Sequence, residues 1–479
     1  MNWLRGGVNR KTGLWLLYYL AMTGGAAILF LLIRQAGNRL TPGSIPSAAA
    51  VEIPGVQHNA LLHVLLALIV IIVTARLVGL VFRYLRQPQV MGEVLGGIIL
   101  GPSVLGHFFP DIANYILPQS AAPLLGIIAQ LGVILFMFLV GVEVDLKIVR
   151  RSGRSTAAIS HASILVPFLM GAVLALVLYQ RYPSGQVSFT SFALFLGVSM
   201  SVTAFPVLAR ILTDLQMHRT SKGSMVLMCA AINDVLAWCL LAVVVSIVQA
   251  DAGGAIITPI LTVLFMGGIV LVVRPLATKI VPRLKTGRSF GEGPLALVIV
   301  AILASALATE YIGIHAIFGA FMLGAILPRT SLIAQTMTMR LEDVVKILLL
   351  PIFFAFTGMR TELGLLSTPQ DWMMCGLVIV VATLGKFGGS FVAAKLLGHR
   401  TRDSAALGVL MNTRGLVELI VLNIGLDLGV ISPTLFTMLV IMAVVTTFAT
   451  TPLFHLITRK KPWTVENEEV LAPAVAHGS

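Results

Sequence analysis

Two charged residues lie deep inside long apolar stretches, where charge is costly. Asp234 lies about eleven residues into the stretch 223–249, and Lys386 lies about fourteen residues into the stretch 372–396. An ionisable side chain at the centre of a bilayer costs about 2.5–3.5 kcal/mol on insertion scales, so each residue is a candidate for function. A buried carboxylate and a buried ammonium tolerate burial better as a pair, and we expect the two to approach each other in at least one state. The alternative, separate hydration of each charge in a cavity, stays open.

A carboxylate such as Asp234 can hold either a proton or a metal cation. Competition between the two for one carboxylate is the simplest way to couple their movement in opposite directions. An alkali cation needs more oxygen ligands than one carboxylate supplies, and the apolar stretch 189–213 offers hydroxyl groups, including those of Ser201 and Thr203. Pro206 follows them, and a proline inside a span leaves a backbone carbonyl one turn earlier without its partner. For Ser201, the roles of cation ligand and of hydrogen-bond donor to its own helix both stay open.

A second polar interruption lies in the stretch 404–428, where Asn412, Thr413, Arg414 and Gly415 stand at membrane depth. Each of the two interrupted stretches is the fifth span of its half of the chain. A pair of interrupted helices in corresponding positions points to the binding site of a transporter. The ends of half-helices direct partial charges inward, and a buried carboxylate and the Arg414 guanidinium can offset them.

The elements that must position these residues follow from the composition, which predicts an all-α polytopic membrane protein. The sequence is 57% hydrophobic and 11% charged, with a mean hydropathy of +0.97, whereas about 25% of the residues of a soluble domain are charged. The apolar runs are long and continuous rather than alternating, which favours helices over a barrel. We expect thirteen core transmembrane helices, at 60–84, 88–105, 122–145, 156–180, 189–213, 223–249, 256–281, 293–311, 313–328, 341–359, 372–396, 404–428 and 433–457.

An extra apolar segment, 13–33, precedes these spans. Basic residues before it and the small residues at 47–50 would suit a cleaved signal peptide. The apolar run is longer than a usual signal core, however, and 47–50 lies far from its end. We expect a retained N-terminal transmembrane helix in addition to the thirteen core helices.

The net charge of +13 is distributed in a way that predicts topology. With the N-terminus inside, the loops on that side hold nearly all of the loop Lys and Arg, and the opposite loops hold only four, Arg34, Arg39, Arg181 and Arg360. Cytoplasmic loops carry such an excess, so we expect both termini to be cytoplasmic and the protein to cross a lipid bilayer, the cell (inner) membrane. Because the basic residues are scattered among short loops, we expect no nucleic-acid partner.

Two segments share the pattern F-x-x-x-x-G-x-x-x-(acid)-L at a helix end, 136–146 and 353–363, and the helices before them, at 96–102 and 323–328, also match loosely. One helix lies between the two halves, so the second half enters the membrane from the opposite face. This predicts an inverted-topology repeat with two discontinuous crossing helices, and convergent small-residue packing motifs are the alternative. The expected division is an N-terminal helix and linker 1–59, a first repeat 60–249, a linker helix 250–292, a second repeat 293–458 and a cytoplasmic tail 459–479.

Several ordered motifs resemble the monovalent cation:proton antiporter-2 family, and within it the branch of the plant cation/H⁺ exchangers and their bacterial relatives. The resemblance covers about 60–457. The motifs are Ser201-Val-Thr203-Ala-Phe-Pro206-Val-Leu-Ala-Arg210, Ala231-Ile-Asn233-Asp234-Val, Gly313-Ile-His315-Ala-Ile-Phe-Gly319, Gly385-Lys386 and Asn412-Thr413-Arg414-Gly415-Leu-Val-Glu418.

This resemblance implies a homodimer with a mobile core domain and a dimerisation domain that works by an elevator-like alternating-access movement. The ion-binding aspartate of the family falls on Asp234, the residue before it on Asn233, the threonine of the unwound helix on Thr203 and the membrane lysine on Lys386. In this family an Asn-Asp pair is associated with electroneutral exchange, whereas the lysine is usually discussed with electrogenic members. The stoichiometry therefore stays open.

The leading hypothesis is a secondary antiporter of Na⁺ or K⁺, with Li⁺ as a third candidate, against H⁺. The alternatives are a Na⁺-coupled symporter of an organic anion on a similar scaffold and a passive channel. No phosphate loop, nucleophile–base grouping or metal cluster is evident, so we expect neither an enzyme nor a cofactor. The sequence ends soon after the last span, and we expect no nucleotide-binding regulatory domain.

Overall fold

In the computed structural model, helices are the only regular secondary structure among the residues that it describes, which are 10–38, 60–85, 87–118, 120–143, 154–182, 187–215, 217, 220–249, 257–280, 292–327 and 331–458. The stretch 47–50, the predicted tail 459–479 and many of the basic loop residues lie outside these ranges. Within these ranges, every predicted span lies on a helix or on consecutive helices. The helices are α1 Arg10–Gly37, α2 Ala60–Tyr84, α3 Gln89–Leu100, α4 Leu105–Phe108, α5 Pro110–Ile116, α6 Ala122–Glu143, α7 Arg154–Arg181, α8 Phe189–Ser201, α9 Phe205–Asp214, α10 Ser221–Gln249, α11 Ile257–Gly268, α12 Arg274–Ile280, α13 Glu292–Ile312, α14 Ala316–Ile326, α15 Leu332–Val344, α16 Leu350–Met359, α17 Pro369–Leu396, α18 Thr401–Met411, α19 Leu416–Asp427 and α20 Pro433–Thr458.

Ten of the described helices are long and apolar enough to cross a membrane, or eleven if α18 and α19 are counted as one bent span. Two predicted spans are not among them: 313–328, because α14 covers only Ala316–Ile326, and 341–359, whose helices carry Glu342, Asp343 and Lys346. The number of thirteen core helices and one extra helix therefore stays a prediction.

The helices pack in two groups, each of which takes members from both halves of the chain. The scaffold bundle consists of α2, α3, α6 and α13–α16, in which α6 packs against α14 and α3 packs against α16. The crossing bundle consists of α7–α10 and α17–α20, in which α7 packs against both α8 and α17. The N-terminal helix α1 lies against α7 and α8. All the polar residues predicted at membrane depth for ion binding belong to the crossing bundle.

The glycines of the two repeated sequence motifs pack against each other crosswise in the scaffold bundle. A Cβ built on Gly358 would lie 2.8 Å from the Cα of Gly97, and a Cβ built on Gly141 would lie 3.1 Å from the Cα of Gly324. Each contact therefore joins a motif of the first half to a motif of the second half at backbone distance, which only glycine permits. This reciprocity is expected of two halves related by a pseudo-two-fold axis, although the inverted repeat itself stays a prediction.

Arg76, a charged residue in the middle of α2, has its partners in the π-helical turn. Its guanidinium donates to the carbonyl oxygens of Lys346, at 3.2 Å, and Ile347, at 3.0 Å. A π-helical turn replaces the i→i+4 hydrogen bonds of the α-helix and frees acceptors for a side chain. Arg76 is thus a packing element of the scaffold bundle.

Two adjacent glycines beside Lys386 provide a matched test of the packing of α17 on α7. A Cβ on Gly389 would lie 2.8 Å from the carbonyl oxygen of Ala162, whereas a Cβ on Gly388 would meet nothing within 4 Å. We expect Gly389→Ala to lower the free energy of unfolding in detergent by about 1–3 kcal/mol, because the added methyl group overpacks a helix contact. We expect Gly388→Ala to leave it unchanged or to raise it by up to about 1 kcal/mol. Equal stability of the two variants would contradict this packing.

Candidate ion-binding site

Two helix breaks meet inside the crossing bundle. The first, 202–204, separates α8 from α9, and the second, 412–415, separates α18 from α19 with a bend of 46°. The backbone N–H of Ala204 donates to the carbonyl oxygen of Thr413 at 3.0 Å, so the two breaks touch. Pro206 lies in the first turn of α9, where a missing N–H leaves no hydrogen bond unmade. The structure thus has breaks at both predicted places and in mutual contact.

Side chains satisfy every carbonyl group at the C-terminal end of α8. A helix leaves its last four carbonyls without a partner in the helix, and in α8 these belong to residues 198–201. The bonds are Ser201 Oγ to Val198 O at 2.9 Å, Arg414 Nη1 to Ser199 O at 3.0 Å, Arg414 Nη2 to Met200 O at 2.9 Å, and Lys386 Nζ to Ser201 O. Two cations therefore face the negative end of the helix dipole.

Asp234 complements the opposite half-helix. Its carboxylate accepts a hydrogen bond from the backbone N–H of Phe205, the first residue of α9, where the helix dipole is positive. Its side chain is buried, with 7% of the residue exposed, and Oδ1 has no hydrogen-bond partner. One carboxylate oxygen is thus fixed by the helix end while the other is free to bind a ligand.

Asn233 is oriented by two hydroxyl groups. Its Nδ2 donates to Ser163 Oγ at 2.5 Å and to Thr203 Oγ1 at 3.3 Å, and Thr203 in turn donates to the carbonyl oxygen of Met411 at 3.3 Å. With the amide nitrogen engaged in this way, Oδ1 of Asn233 is left as a buried acceptor without a partner. Thr203 therefore links the two helix breaks as well as holding Asn233.

Buried acceptor oxygens without partners are concentrated around the crossing. Unpaired buried oxygens are uncommon in proteins and call for an explanation such as an ion or ordered water. The carboxylate and amide oxygens of this kind, on the residues of the two breaks and the helices beside them, are Asn233 Oδ1, Asp234 Oδ1, Asn412 Oδ1 and Glu418 Oε1. A monovalent cation, which prefers oxygen ligands, would satisfy atoms of this kind.

Lys386 and Asp234 are not joined by an ion pair within 4.0 Å in this conformation, so the expected approach is not seen here. Lys386 is fully buried, and its ammonium donates to the carbonyl oxygens of Ser163, at 2.9 Å, and Ser201. The two charges are near enough to interact electrostatically. From the sequence, the Asp234 carboxylate was expected to be the partner of the Lys386 ammonium. A backbone carbonyl at the end of α8 is a partner instead, because the end of a broken helix leaves its carbonyls without partners in the helix.

Ser201 contributes to the site through its carbonyl group. Its hydroxyl donates to the carbonyl oxygen of Val198 in its own helix, the second of the two roles that the sequence left open. Thr413 likewise donates to the carbonyl oxygen of Leu410. Gly415 has a φ of 164°, which any residue can adopt, but a Cβ there would lie 2.6 Å from a methyl carbon of Val207. The glycine is therefore required by close approach.

Two residues of this network are absent from the site predicted from sequence. Glu418 binds Arg414 through Oε2 and Nη1 at 2.6 Å, and both side chains are fully buried. Their spacing of four residues in sequence is a signal for this pair, although Arg414 itself lies in the break before α19. Ser163 contacts both Asn233 and Lys386. The signal for Ser163 is weak, because serines in apolar helices commonly bond to their own backbone.

Comparison with known proteins places this chain among transporters. Residues 66–459 match the family model described as sodium/hydrogen exchanger, transmembrane. The chain is 43% identical to the Na(+)/H(+) antiporter NhaS4 of Synechocystis sp. over 397 residues, which are 82% of this chain and 97% of that protein. It is 40% identical to Cation/H(+) antiporter 20 of Arabidopsis thaliana and 37% identical to K(+)/H(+) antiporter 1 of Saccharomyces cerevisiae, over 80% and 81% of this chain. It spans about half the length of these two relatives, 47% and 45%.

The fold is also that of a solved transporter. The sodium proton antiporter MjNhaP1 from Methanocaldococcus jannaschii matches 84% of this chain and 97% of its own, with a TM-score of 0.56 and 18% identity. At this identity the similarity concerns the fold alone. Together with the many apolar helices, the family match over most of the sequence and the close bacterial relative show that this multi-pass membrane protein belongs to the sodium/hydrogen exchanger family.

Proposed function

We propose that this protein exchanges a monovalent cation for a proton, and that the two compete for Asp234. The observation that carries the proposal is the state of this carboxylate: one oxygen is held by the N-terminus of α9, and the other is buried without a partner where two broken helices touch. A proton or a cation on the free oxygen would remove the cost of leaving it unpaired.

The ligands proposed for the cation are Asp234, Asn233 and Thr203, with Asn412 as a further oxygen donor. Support comes from the unpartnered oxygens of Asp234, Asn233 and Asn412 and from the contact of Thr203 with Asn233. The hydroxyl of Ser201 is engaged by its own helix. In this proposal its carbonyl oxygen becomes available only when the Lys386 ammonium moves away.

Lys386 and Arg414 are proposed to set the charge of the site through the cycle. Lys386, Arg414, Asp234 and Glu418 together carry no net charge when all four are ionised. Binding of either a proton or a monovalent cation at Asp234 changes that sum by the same amount, so the two loaded forms are electrostatically alike. The exchange is electroneutral if Lys386 keeps its proton throughout the cycle, and electrogenic if Lys386 releases it.

The substrate is proposed to be Na⁺ or K⁺, with Li⁺ as a third ion to be tested. The names of the relatives support this range, since they include a Na⁺/H⁺, a K⁺/H⁺ and a cation/H⁺ antiporter. The alternative of a Na⁺-coupled symporter for an organic anion finds no support among these relatives. The names do not choose between the ions, which differ mainly in the coordination size that they require.

The movement is proposed to be an elevator-like displacement of the crossing bundle along the scaffold bundle. The support is that all the proposed ligands lie in one bundle, which can carry them as a unit, while the other bundle forms a separately packed wall. We further propose a homodimer, assembled through the scaffold bundle, in the cell (inner) membrane with both termini in the cytoplasm.

Reconstitution into sealed liposomes tests this function. With an acidic lumen and Na⁺, K⁺ or Li⁺ added outside, we expect lumenal alkalinisation that depends on at least one of these cations and is absent from protein-free liposomes. Isotope uptake measured in parallel separates exchange from a passive channel, which would admit the cation without moving protons. Failure of every cation to move protons, with protein that elutes as a single folded species, would overturn the proposal.

A further inference from the structure

A second polar network joins the two bundles far along the chain from Asp234. Arg360 directly follows α16 of the scaffold bundle, and its guanidinium reaches α19 of the crossing bundle. Nη1 donates to Asn423 Oδ1 at 2.9 Å, and Nη2 lies 2.6 Å from Asp427 Oδ1. The guanidinium carbon also lies 5.6 Å from the ring centroid of Phe356, in cation–π range. One arginine therefore makes one ion pair and one hydrogen bond to the neighbouring bundle.

Asn423 of the crossing bundle also donates a hydrogen bond back to the scaffold bundle. Its Nδ2 donates to Thr357 Oγ1 in α16 at 2.8 Å. Thr357 is fully buried, and Asn423 is 7% exposed, whereas the side chains of Arg360 and Asp427 are 27% and 33% exposed. The network thus runs from a sealed interior layer to an accessible outer layer. Three hydrogen bonds must break before α19 can move along α16.

The accessible layer forms part of the wall of a large cavity. The cavity has a volume of about 710 Å³ and is lined mainly by residues between 100 and 130, from the end of α3 through α4 and α5 to α6. Its polar lining side chains include Asn114, Gln130, Arg360 and Asp427. Asp234 is not among its lining residues. The Arg360–Asp427 pair therefore lies at the boundary between this cavity and the crossing bundle.

The network lies at the end of α19. Thr401 at the start of α18 and Asp427 at the end of α19 stand at opposite faces of the crossing bundle, because the two helices follow each other with a bend of 46°. The face of Thr401 carries the ion pair of Lys222 and Asp403, at 3.3 Å, which joins α10 to α18 within the crossing bundle. At the face of Asp427, by contrast, the ion pair spans the two bundles.

We propose that Arg360, Asp427 and Asn423 form a gate that closes the route from this cavity to the ion-binding site in the conformation shown. The gate rests on the proposed alternating access, because it holds the crossing bundle against the scaffold bundle at one face. Arg360 and Asp427 act as positioning residues that set the ratio of the closed to the open conformation at that face. Weakening them shifts the ratio toward opening without altering the ligands around Asp234.

Cysteine labelling in sealed vesicles tests the gate without requiring ion transport. In a background with Cys229, Cys239 and Cys375 replaced, a cysteine at Leu419 reports opening, because it is fully buried one turn deeper than Asn423 on the same face of α19. A cysteine at Asn114, in the cavity, identifies the side from which a membrane-impermeant maleimide enters. We expect slow labelling of Leu419→Cys with the gate intact.

Neutralising the pair should accelerate this labelling. We expect Arg360→Gln and Asp427→Asn each to raise the labelling rate about tenfold. Each variant loses a charged hydrogen bond of about 1.5 kcal/mol, which corresponds to a tenfold shift in the ratio of open to closed conformations. The exchange R360D/D427R should return the rate to within about threefold of the unmodified gate. Lys346→Gln breaks an exposed ion pair with Glu342 inside the scaffold bundle and should leave the rate unchanged.

The outcomes separate the gate from the proposed function. Equal labelling rates with and without Arg360→Gln and Asp427→Asn would overturn the gate, even in protein that exchanges cations for protons. A rise that the charge exchange does not reverse would also overturn it, because the effect would then not come from the pair. The protein could also show the expected labelling rates and yet move no protons. That result would support the gate as the contact between the bundles, and it would overturn only the antiport proposal.

Discussion

Asp234→Asn is expected to abolish cation-dependent proton movement while leaving the protein folded. The substituted amide keeps an oxygen that can accept from the N–H of Phe205, so the contact that orients the side chain at the end of α9 is retained. The amide carries no charge and binds no exchangeable proton near neutral pH. Loss of one charge about 4 Å from a cation removes about 4 kcal/mol of attraction at an effective dielectric of 20, roughly a thousandfold in affinity.

The measurement is the initial rate of lumenal alkalinisation in proteoliposomes, together with the cation-induced rise in melting temperature. We expect both to disappear in Asp234→Asn. Glu342→Gln is the matched control, because it removes a carboxylate of similar size from an exposed ion pair on α15 and should change neither. Exchange that persists in Asp234→Asn at more than about a tenth of the unmodified rate would refute the role of this carboxylate.

The second large effect is expected on stability, from the buried pair of Arg414 and Glu418. Glu418→Gln leaves a fully buried guanidinium without its counter-ion, and breaking a buried pair from one side costs about 3–5 kcal/mol. Arg414→Gln should cost more. It leaves the Glu418 carboxylate unpaired and also strips the carbonyls of Ser199 and Met200 of their donors.

Denaturant unfolding in detergent of both single variants and the double variant measures these costs. We expect the double variant to be more stable than the sum of the single effects predicts, by about 1–3 kcal/mol, because no uncompensated charge remains. Additive effects would show that the two side chains do not depend on each other. Arg414→Lys should recover only part of the stability, since an ammonium cannot reproduce a planar fork that contacts three acceptors.

Much of the helical architecture was predictable because a bilayer allows few alternatives. Long apolar runs must be helical where backbone groups cannot bond to water, and the positions of the spans followed from hydropathy. The breaks were also predicted, from Pro206 and the polar run 412–415, both of which weaken an apolar helix, although Pro167 and Pro452 lie inside continuous helices.

The partners of the buried charges were not predictable from a single sequence. Lys386 was expected to face Asp234 on grounds of charge, but the acceptors that it uses are backbone carbonyls, and every sequence offers these everywhere. Arg76 is a similar case. Its acceptors are backbone carbonyls of a π-helical turn, and the sequence does not show where such a turn occurs. Arg360 was expected to be one of the few basic residues of the outside loops, and nothing in its local sequence indicates the contact with Asp427.

The end of α8 also has a consequence for the order in which this protein can be made. Two of its carbonyls, those of Ser199 and Met200, depend on Arg414, which follows them by 215 and 214 residues, and a third, that of Ser201, depends on Lys386, which follows it by 185 residues. While the ribosome is still synthesising the second half, the first half holds a helix end in the membrane whose acceptors have no donors. These bonds can therefore form only after α17 and the break 412–415 have been inserted, so the end of α8 depends on the second half of the chain.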